Sequence, residues 1–177
     1  MAEPYHYRNK AIASFAMQHG RLVCGLYAEG THRVLPSADC LLQEEILNKT
    51  LAAVLEAARA CRWTAYDEDR GTGLLRHTVL RSSGDGKVLV TLVTPGADLP
   101  GSKNFCAALR KKAPWVVSIV QNINPNAQQR RVGQPRETAL GTRLCAGYAV
   151  RAAVCNLVPQ LLSGQPHPDR GAVQKGA

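Results

Sequence analysis

Hydrophobic positions in the first part of the chain follow a short-range alternation. Residues 10 to 35 alternate brief apolar runs with polar residues, and the pairs His19-Gly20 and Glu29-Gly30 interrupt them as turn signals. This pattern predicts an antiparallel meander of three strands.

The spacing then changes to a helical repeat. Two glutamates at positions 44 and 45 suit the first turn of a helix, and apolar residues follow on one face. We therefore predict a helix from about residue 43 to residue 62. Its apolar stripe consists of Leu47, Leu51, Val54, Ala58 and Cys61.

A β-hairpin and a β-α-β passage are predicted next. The β-rich runs LLRHTVLR and KVLVTLVT are joined by SGDG at residues 83 to 86, which is typical of a hairpin. Ser102 is placed to cap a short helix through Lys112, and the apolar run WVVSIVQ after Pro114 is typical of a central strand. We therefore expect an α+β fold with a largely antiparallel sheet and two helices, without a complete Rossmann domain.

Composition adds a preference for a polyanionic partner. The 177 residues are 45% hydrophobic and 20% charged, which suits one soluble domain with a core. Lys and Arg number 22 against 13 Asp and Glu, and the net charge of +9 favours nucleic acid over a membrane. Because no apolar stretch has the length of a membrane helix and the start is polar, we expect a cytoplasmic protein.

The six cysteines are scattered and form no C-x-x-C pair, so we expect no metal site. In a reducing compartment they are expected to be buried thiols that act as small apolar side chains. They are Cys24, Cys40, Cys61, Cys106, Cys145 and Cys155.

Several cationic and amide side chains are candidates for RNA contact. Arg and Lys neutralise phosphates, amides hydrogen-bond to base edges or ribose hydroxyls, and Tyr7 offers a stacking face. The candidates are Arg8, Asn9, Lys10, Arg76, His77, Gln121, Asn122 and Asn124.

Each candidate also has a structural explanation. Arg8 and Lys10 alternate and could form a solvated strand face, and His77 is more often a structural histidine than an acid or base. Asn122 and Asn124 could satisfy backbone groups in a turn. The same choice applies to the basic side chains of the second helix, whereas Trp63 and Trp115 are expected in the core.

Four segments carry a family resemblance. EPYHYRNKA, GTGLLRHTVLR, VLVTLVT and SIVQNINP resemble, in order and at similar spacing, the S-adenosylmethionine-dependent RNA uracil-5-methyltransferases. GLYAEGTHRVLPSADCLLQ is similar to the segment before that family's first long helix, and the resemblance covers most of residues 3 to 140.

The resemblance implies a ribosomal or transfer RNA partner, S-adenosylmethionine as the cofactor of the intact family, and 5-methyluridine as product. The implied mechanism is attack of a cysteine thiolate on C6 of uracil, methyl transfer to C5, and removal of a proton by a general base.

The chain does not contain the segments that carry this chemistry in the family. Its members have a Rossmann-like donor-binding domain with the nucleophilic cysteine after this region, and often a small RNA-binding barrel before it. We therefore expect a central-domain fragment of residues 1 to 140 that is inactive alone, with no catalytic and no cofactor-binding residue. Cys106 matches no catalytic motif. The alternative is a free-standing RNA-binding module without catalysis.

Residues 141 to 177 are expected to be a frameshifted, poorly packed tail. Residues 155 to 176 can be back-translated so that the adjacent reading frame spells AISSRSFFQVNPTQTEALYKK, which is similar to the family's continuation. Cys155 and His167 are therefore expected to have no role. Sequencing the gene tests this hypothesis, because stop codons in the shifted frame would end it.

Overall fold

The computed structural model describes residues 4–31, 33–37, 39–125 and 142–146. Within them, seven strands form one sheet in the order β3-β2-β1-β4-β5-β6-β7. Only β5 and β6 run parallel among these neighbours. The predicted α+β class, with a largely antiparallel sheet and two helices, is confirmed. The elements are β1 (Lys10–Gln18), β2 (Arg21–Tyr27), β3 (Val34–Pro36), α1 (Glu45–Ala60), β4 (His77–Ser82), β5 (Val88–Thr94), α2 (Ser102–Lys112), β6 (Val116–Ile123) and β7 (Thr142–Ala146).

The first three strands form the predicted antiparallel meander. His19 and Gly20 connect β1 to β2 with φ of 49° and 73°, so both residues of this tight turn are left-handed, as a type I′ hairpin turn requires. A Cβ at Gly25 would lie 1.8 Å from the Leu35 carbonyl oxygen. Only glycine therefore allows β3 to approach β2 this closely.

The predicted hairpin joins β4 to β5. The Ser83 N–H donates to the Lys87 carbonyl at 2.9 Å, and Gly86 has a φ of 74°. A left-handed glycine after a short turn is a frequent hairpin connection. From β5 the chain crosses through α2 to β6, so that Leu92 is level with Gln121 and Val93 with Asn122.

The hydrophobic core lies between the two helices and one face of the sheet. Leu47, Leu51 and Val54 of α1 are at most 6% exposed, and each such side chain contributes about 1.5–3 kcal/mol when buried. Trp63 stacks on Phe105 with ring centroids 4.6 Å apart. Trp115 is half-buried and donates through Nε1 to Thr50 Oγ1 at 2.8 Å. Core packing was the expectation for both tryptophans.

The helix bounds agree with the sequence pattern, but the predicted cap is wrong. Gly101, with φ of 73°, is the N-cap of α2, and no side chain caps the helix. Ser102 is already the first helical residue, and its N–H donates to the Leu99 carbonyl at 3.2 Å. A left-handed glycine thus starts the helix one residue earlier than a serine cap would.

The described cysteines differ in state. Cys24 is buried as predicted, and Cys40 and Cys61 are half-buried free thiols. Cys106 is 1% exposed but disulfide-bonded, so the expectation of a thiol is wrong at this position. The side chain of Cys145 and all of Cys155 lie outside the description.

Strand β7 is the described portion of the segment predicted to be a tail. It pairs with β6 in antiparallel register from Ser118 and Ala146 to Gln121 and Thr142. Residues 147–177, with Cys155 and His167, lie outside the described residues, so the frameshifted tail and the boundary at residue 140 stay predictions.

Candidate nucleic-acid interface

The candidate RNA-contacting residues lie at two opposite ends of the sheet. Asn9 is at the lower edge, defined as the end where β1 begins and β4 finishes, and its carbonyl accepts from the Ser82 N–H at 3.0 Å. His77 and Asn124 are at the upper edge, where β6 finishes and β4 begins, level with Ser14 of β1. The six residues of β4 separate the two edges by about 20 Å. The structure therefore brings together two groups, not one site.

At the lower edge, Arg8, Asn9 and Lys10 are accessible, with the first two exposed and Lys10 half-buried. Main-chain bonds fix this segment on the loop before α1. The Arg8 N–H donates to the Leu42 carbonyl at 2.9 Å, and the Glu44 N–H donates to the Arg8 carbonyl at 3.0 Å. The side chains are thus presented from a held backbone.

Aromatic rings accompany the lower-edge cations. Tyr5 and Tyr7 are 54% and 49% exposed, and the Arg8 guanidinium lies 5.9 Å from the Tyr7 ring centroid. Exposed rings beside cations can stack bases while neutralising phosphates, a combination suited to single-stranded RNA. Tyr5 was not among the predicted contacts, although the alternation of aromatic residues in YHY before RNK was a usable signal.

At the upper edge, Arg76 is 4% exposed and its guanidinium is engaged by the protein. Nε and Nη2 donate to the two carboxylate oxygens of Glu68 at 2.9 and 2.8 Å, and Nη1 donates to the Asn124 carbonyl at 2.9 Å. This bidentate pair ties the loop before β4 to the end of β6. Arg76 therefore has a structural role, because it holds this loop to the end of β6. RNA contact by Arg76 stays a prediction.

His77 and Asn124 are also buried. His77 is 5% exposed, its Nδ1 lies 3.1 Å from Ser14 Oγ, and the Tyr27 ring packs edge-on against it. Asn124 is 3% exposed, and its N–H donates to the Thr94 carbonyl at 2.8 Å. The burial and polar neighbour of His77 suit a structural histidine, and RNA contact by either residue stays a prediction.

The amides of β6 have different surroundings. Gln121 is 2% exposed, and its Nε2 lies within hydrogen-bonding distance of Thr94 Oγ1, the Gly96 carbonyl and the Ala97 carbonyl, at 2.9 to 3.2 Å. Asn122 is 8% exposed, and its buried Oδ1 has no hydrogen-bond partner among the described residues. Gln121 therefore holds the loop after β5, whereas Asn122 keeps an unused acceptor.

Among the basic side chains in the last turn of α2, one forms an ion pair with α1 and two others are exposed to solvent. Lys112 forms an ion pair with Glu56 on α1, which holds the pKa of that carboxyl below its ordinary value. Arg110 and Lys111 are exposed, and they form no ion pair within the described part of the chain. Both explanations offered for this face remain open.

Among the described residues, no three His, Cys, Asp or Glu side chains come together as a metal site. None of the described helices has the length and apolar character needed to cross a membrane.

Sequence relatives of the chain are RNA methyltransferases, although no protein-family profile matches it. It is 40% identical over 126 residues to an uncharacterized RNA methyltransferase of Halalkalibacterium halodurans, a match that covers 71% of this chain and 28% of that protein. A Bacillus cereus protein of the same description is 39% identical over 129 residues, or 71% and 27% of the two chains. Another, from Caldanaerobacter subterraneus, is 31% identical over 134 residues, or 75% and 30%. The chain thus spans less than a third of the length of these curated relatives.

A solved structure shares the fold. The crystal structure of Pyrococcus abyssi tRNA (uracil-54, C5)-methyltransferase in complex with S-adenosyl-L-homocysteine superposes with a TM-score of 0.56 at 17% identity. The match covers 73% of this chain and 30% of that protein.

Proposed function

Because the chain belongs to the RNA methyltransferase family, we propose that it supplies RNA contacts to an enzyme that methylates C5 of uridine in ribosomal or transfer RNA. The observation that carries this proposal is the 40% identity over 126 residues to an RNA methyltransferase. The motif SIVQNINP and the fold shared with a tRNA (uracil-54, C5)-methyltransferase support C5 of uridine as the acceptor. The chain spans less than a third of its relatives' length. The methyl-transfer activity of a whole enzyme that contains this chain is therefore itself proposed.

The lower edge is the surface that best fits RNA among the predicted residues. Its candidates are accessible, whereas Arg76, His77 and Gln121 are at most 5% exposed. Arg8 and Lys10 provide charge for phosphates, and Tyr5 and Tyr7 provide stacking faces. We assign the predicted RNA contact first to this segment.

S-adenosylmethionine, the methyl donor implied for the family, does not fit the place where a parallel strand pair would receive it. Nucleotide-containing cofactors bind beyond the carboxyl ends of parallel strands, next to a helix N-terminus. Here the loop between β5 and α2 is held by the Gln121 amide, which lies 2.9 Å from Thr94 Oγ1 and 3.1 Å from the Gly96 carbonyl. No step of the reaction is therefore assigned to the described residues.

The double substitution Arg8→Ala with Lys10→Ala tests the RNA contact. We expect the full chain to bind a labelled, uridine-rich single-stranded RNA, measured by fluorescence anisotropy. Loss of two phosphate contacts should weaken this binding and reduce the slope of log affinity against log salt by roughly 1.4.

The matched control is Arg70→Ala with Lys87→Ala, which removes the same charge from exposed positions that are not among the candidate contacts. Absence of RNA binding by the unsubstituted chain would overturn the proposed function. Equal affinity of the Arg8 and Lys10 variant and the unsubstituted chain would remove only these two residues from the contact.

A further inference from the structure

A cavity of about 440 Å³ opens where β1 extends beyond the upper edge, between the β1–β2 turn and the end of α1. Its walls include three arginines, Arg21, Arg59 and Arg62, and an apolar floor of Met17, Leu22 and Trp63. We propose that this arginine cavity binds one nucleotide of a single-stranded RNA, with the phosphate on the arginines and the base against Met17. The inference rests on the proposed function, and it adds a site that the sequence did not indicate.

The charge of the arginine cavity favours a phosphate. None of the described residues that line it is an Asp or Glu. Arg21 and Arg62 are exposed, and neither forms an ion pair within the described ranges. Guanidinium groups bind phosphate oxygens through paired, charge-assisted hydrogen bonds. By contrast, the cavity beside His6 is lined by Asp39 and Glu45, which would repel a phosphate.

Arg59 is held in place before any ligand arrives. Its Nε and Nη2 donate to the Leu22 carbonyl at 2.9 and 2.7 Å. A guanidinium has five N–H donors, so this anchoring leaves donors for a phosphate. Binding to a pre-oriented side chain loses less conformational entropy than binding to a mobile one.

The backbone of Arg62 is unusual for an arginine. The Arg62 N–H donates to the Arg59 carbonyl at 2.9 Å, and the Trp63 N–H donates to the Ala58 carbonyl at 3.0 Å. In this helix-ending motif, the position of Arg62 is normally glycine, because it requires a left-handed conformation. Arg62 adopts it with a φ of 55°. Unfavourable backbone conformations of this kind concentrate at binding sites, and this one is compatible with a functional side chain at the cavity.

The part of the floor that a base can contact is Met17, because Trp63 and Leu22 are each 3% exposed and lie beneath it. Trp63 is fixed by stacking on Phe105 and by donation from Nε1 to the Pro100 carbonyl at 2.7 Å. Met17 is 44% exposed, and its polarisable thioether suits contact with an aromatic ring. The cavity volume lies within the usual range for small-molecule sites. Apolar floor and cationic rim together match the two parts of a nucleotide.

The test is the double substitution Arg21→Ala with Arg62→Ala in the full chain, measured by anisotropy with the uridine-rich RNA. We expect an affinity roughly tenfold lower and, because one phosphate contact is lost, a salt slope smaller by about 0.7. The Arg70→Ala with Lys87→Ala control should retain the affinity of the unsubstituted chain. Uridine monophosphate should compete for the site more strongly than uridine, because the phosphate carries the recognition.

Arg62→Gly separates binding from folding. Glycine fits the left-handed position without strain, so this variant should be at least as resistant to urea as the unsubstituted chain while binding RNA more weakly. If the unsubstituted chain binds RNA and the Arg21 and Arg62 variant binds equally well, the arginine cavity is not the site and the proposed function stands. If the unsubstituted chain binds no RNA, both proposals fail.

Discussion

Cys24 shows at the scale of one residue how burial controls ionisation. It lies on β2 and is 4% exposed, and burial raises the pKa of its thiol from the ordinary 9.0 to about 12. The folded protein therefore holds the neutral thiol under conditions in which the unfolded chain has a thiolate. This makes Cys24 a source of pH-dependent stability.

We expect the stability due to Cys24 to be complete below pH 9 and to be lost as the pH rises from 9.0 toward about 12. The free energy of unfolding, measured with urea across this range, should fall with pH more steeply in the unsubstituted protein than in Cys24→Ala. Parallel pH profiles in the two proteins would show that Cys24 does not cause the alkaline loss.

Residue types in the sequence indicated which side chains could contact RNA, but not which of them are exposed in the fold. Arg76 and Arg8 are the same residue type beside polar neighbours, yet one is 4% exposed and the other is exposed. The difference arises from Glu68, across a loop, and from the Asn124 carbonyl, which is 48 positions away. A carboxylate partner brought close by tertiary folding cannot be identified from local composition. For the same reason, the sequence does not indicate that Arg21 lies near Arg59 and Arg62 at the end of α1.

At the scale of elements, the Arg76–Glu68 pair joins three parts of the fold. It links the loop after α1, the start of β4 and the end of β6 through bonds of 2.8 to 2.9 Å. The side chain of Arg76 is 3% exposed and that of Glu68 is 23% exposed. Removal of the carboxylate would leave a buried cation without its counter-charge.

Glu68→Ala is therefore expected to lower the free energy of unfolding by about 3 kcal/mol in urea titrations. The control Glu45→Ala breaks an ion pair with Lys49 whose side chains are 64% and 67% exposed, and it should cost less than about 0.5 kcal/mol. Glu68→Leu combined with Arg76→Met should recover part of the loss, since no unpaired charge remains. Similar losses for Glu68→Ala and Glu45→Ala would contradict the structural role of the buried pair.

Elements determined by local signals were predictable. The turn pairs and the SGDG connection fix hairpins over a few residues, and the helical repeat gave 43 to 62 for a helix observed at Glu45–Ala60. The cap of α2 was not predictable from Ser102, because Gly101 adopts a left-handed φ of 73° instead. The local pattern predicts whether an element is a helix or a strand. Its exact end residues depend on the backbone geometry of the cap, which the pattern does not specify.

At the scale of the whole molecule, the proposed uridine chemistry can be tested by segment exchange. The matched part of the full-length Bacillus cereus relative is replaced by the corresponding residues of this chain, guided by the 129-residue alignment. With S-adenosylmethionine and RNA, we expect 5-methyluridine in the digested RNA, detected by mass spectrometry. The unexchanged relative is the control, and methylation of another base by both proteins would overturn the assignment to uracil.

Proximity along the sequence was a poor guide to the arrangement of the site. The segments YRNK, LLRH and QNIN all supplied candidate RNA contacts. Antiparallel pairing of β1 with β4 sends Lys10 to Arg81 and Ser14 to His77, so the first segment lies at the other edge. Sheet topology, which no local pattern contains, divides the candidates.

The length of β1 has a consequence for how RNA would be held. Its nine residues place the Arg8 segment about 30 Å from the arginine cavity. A short oligonucleotide can occupy only one of the two positions, whereas a longer strand can occupy both. The second contact then forms at an effective concentration set by the intervening nucleotides. The affinity should therefore rise abruptly once the RNA is long enough to contact the Arg8 segment and the arginine cavity at the same time. The length of β1 would thus set the minimum length of RNA that binds tightly.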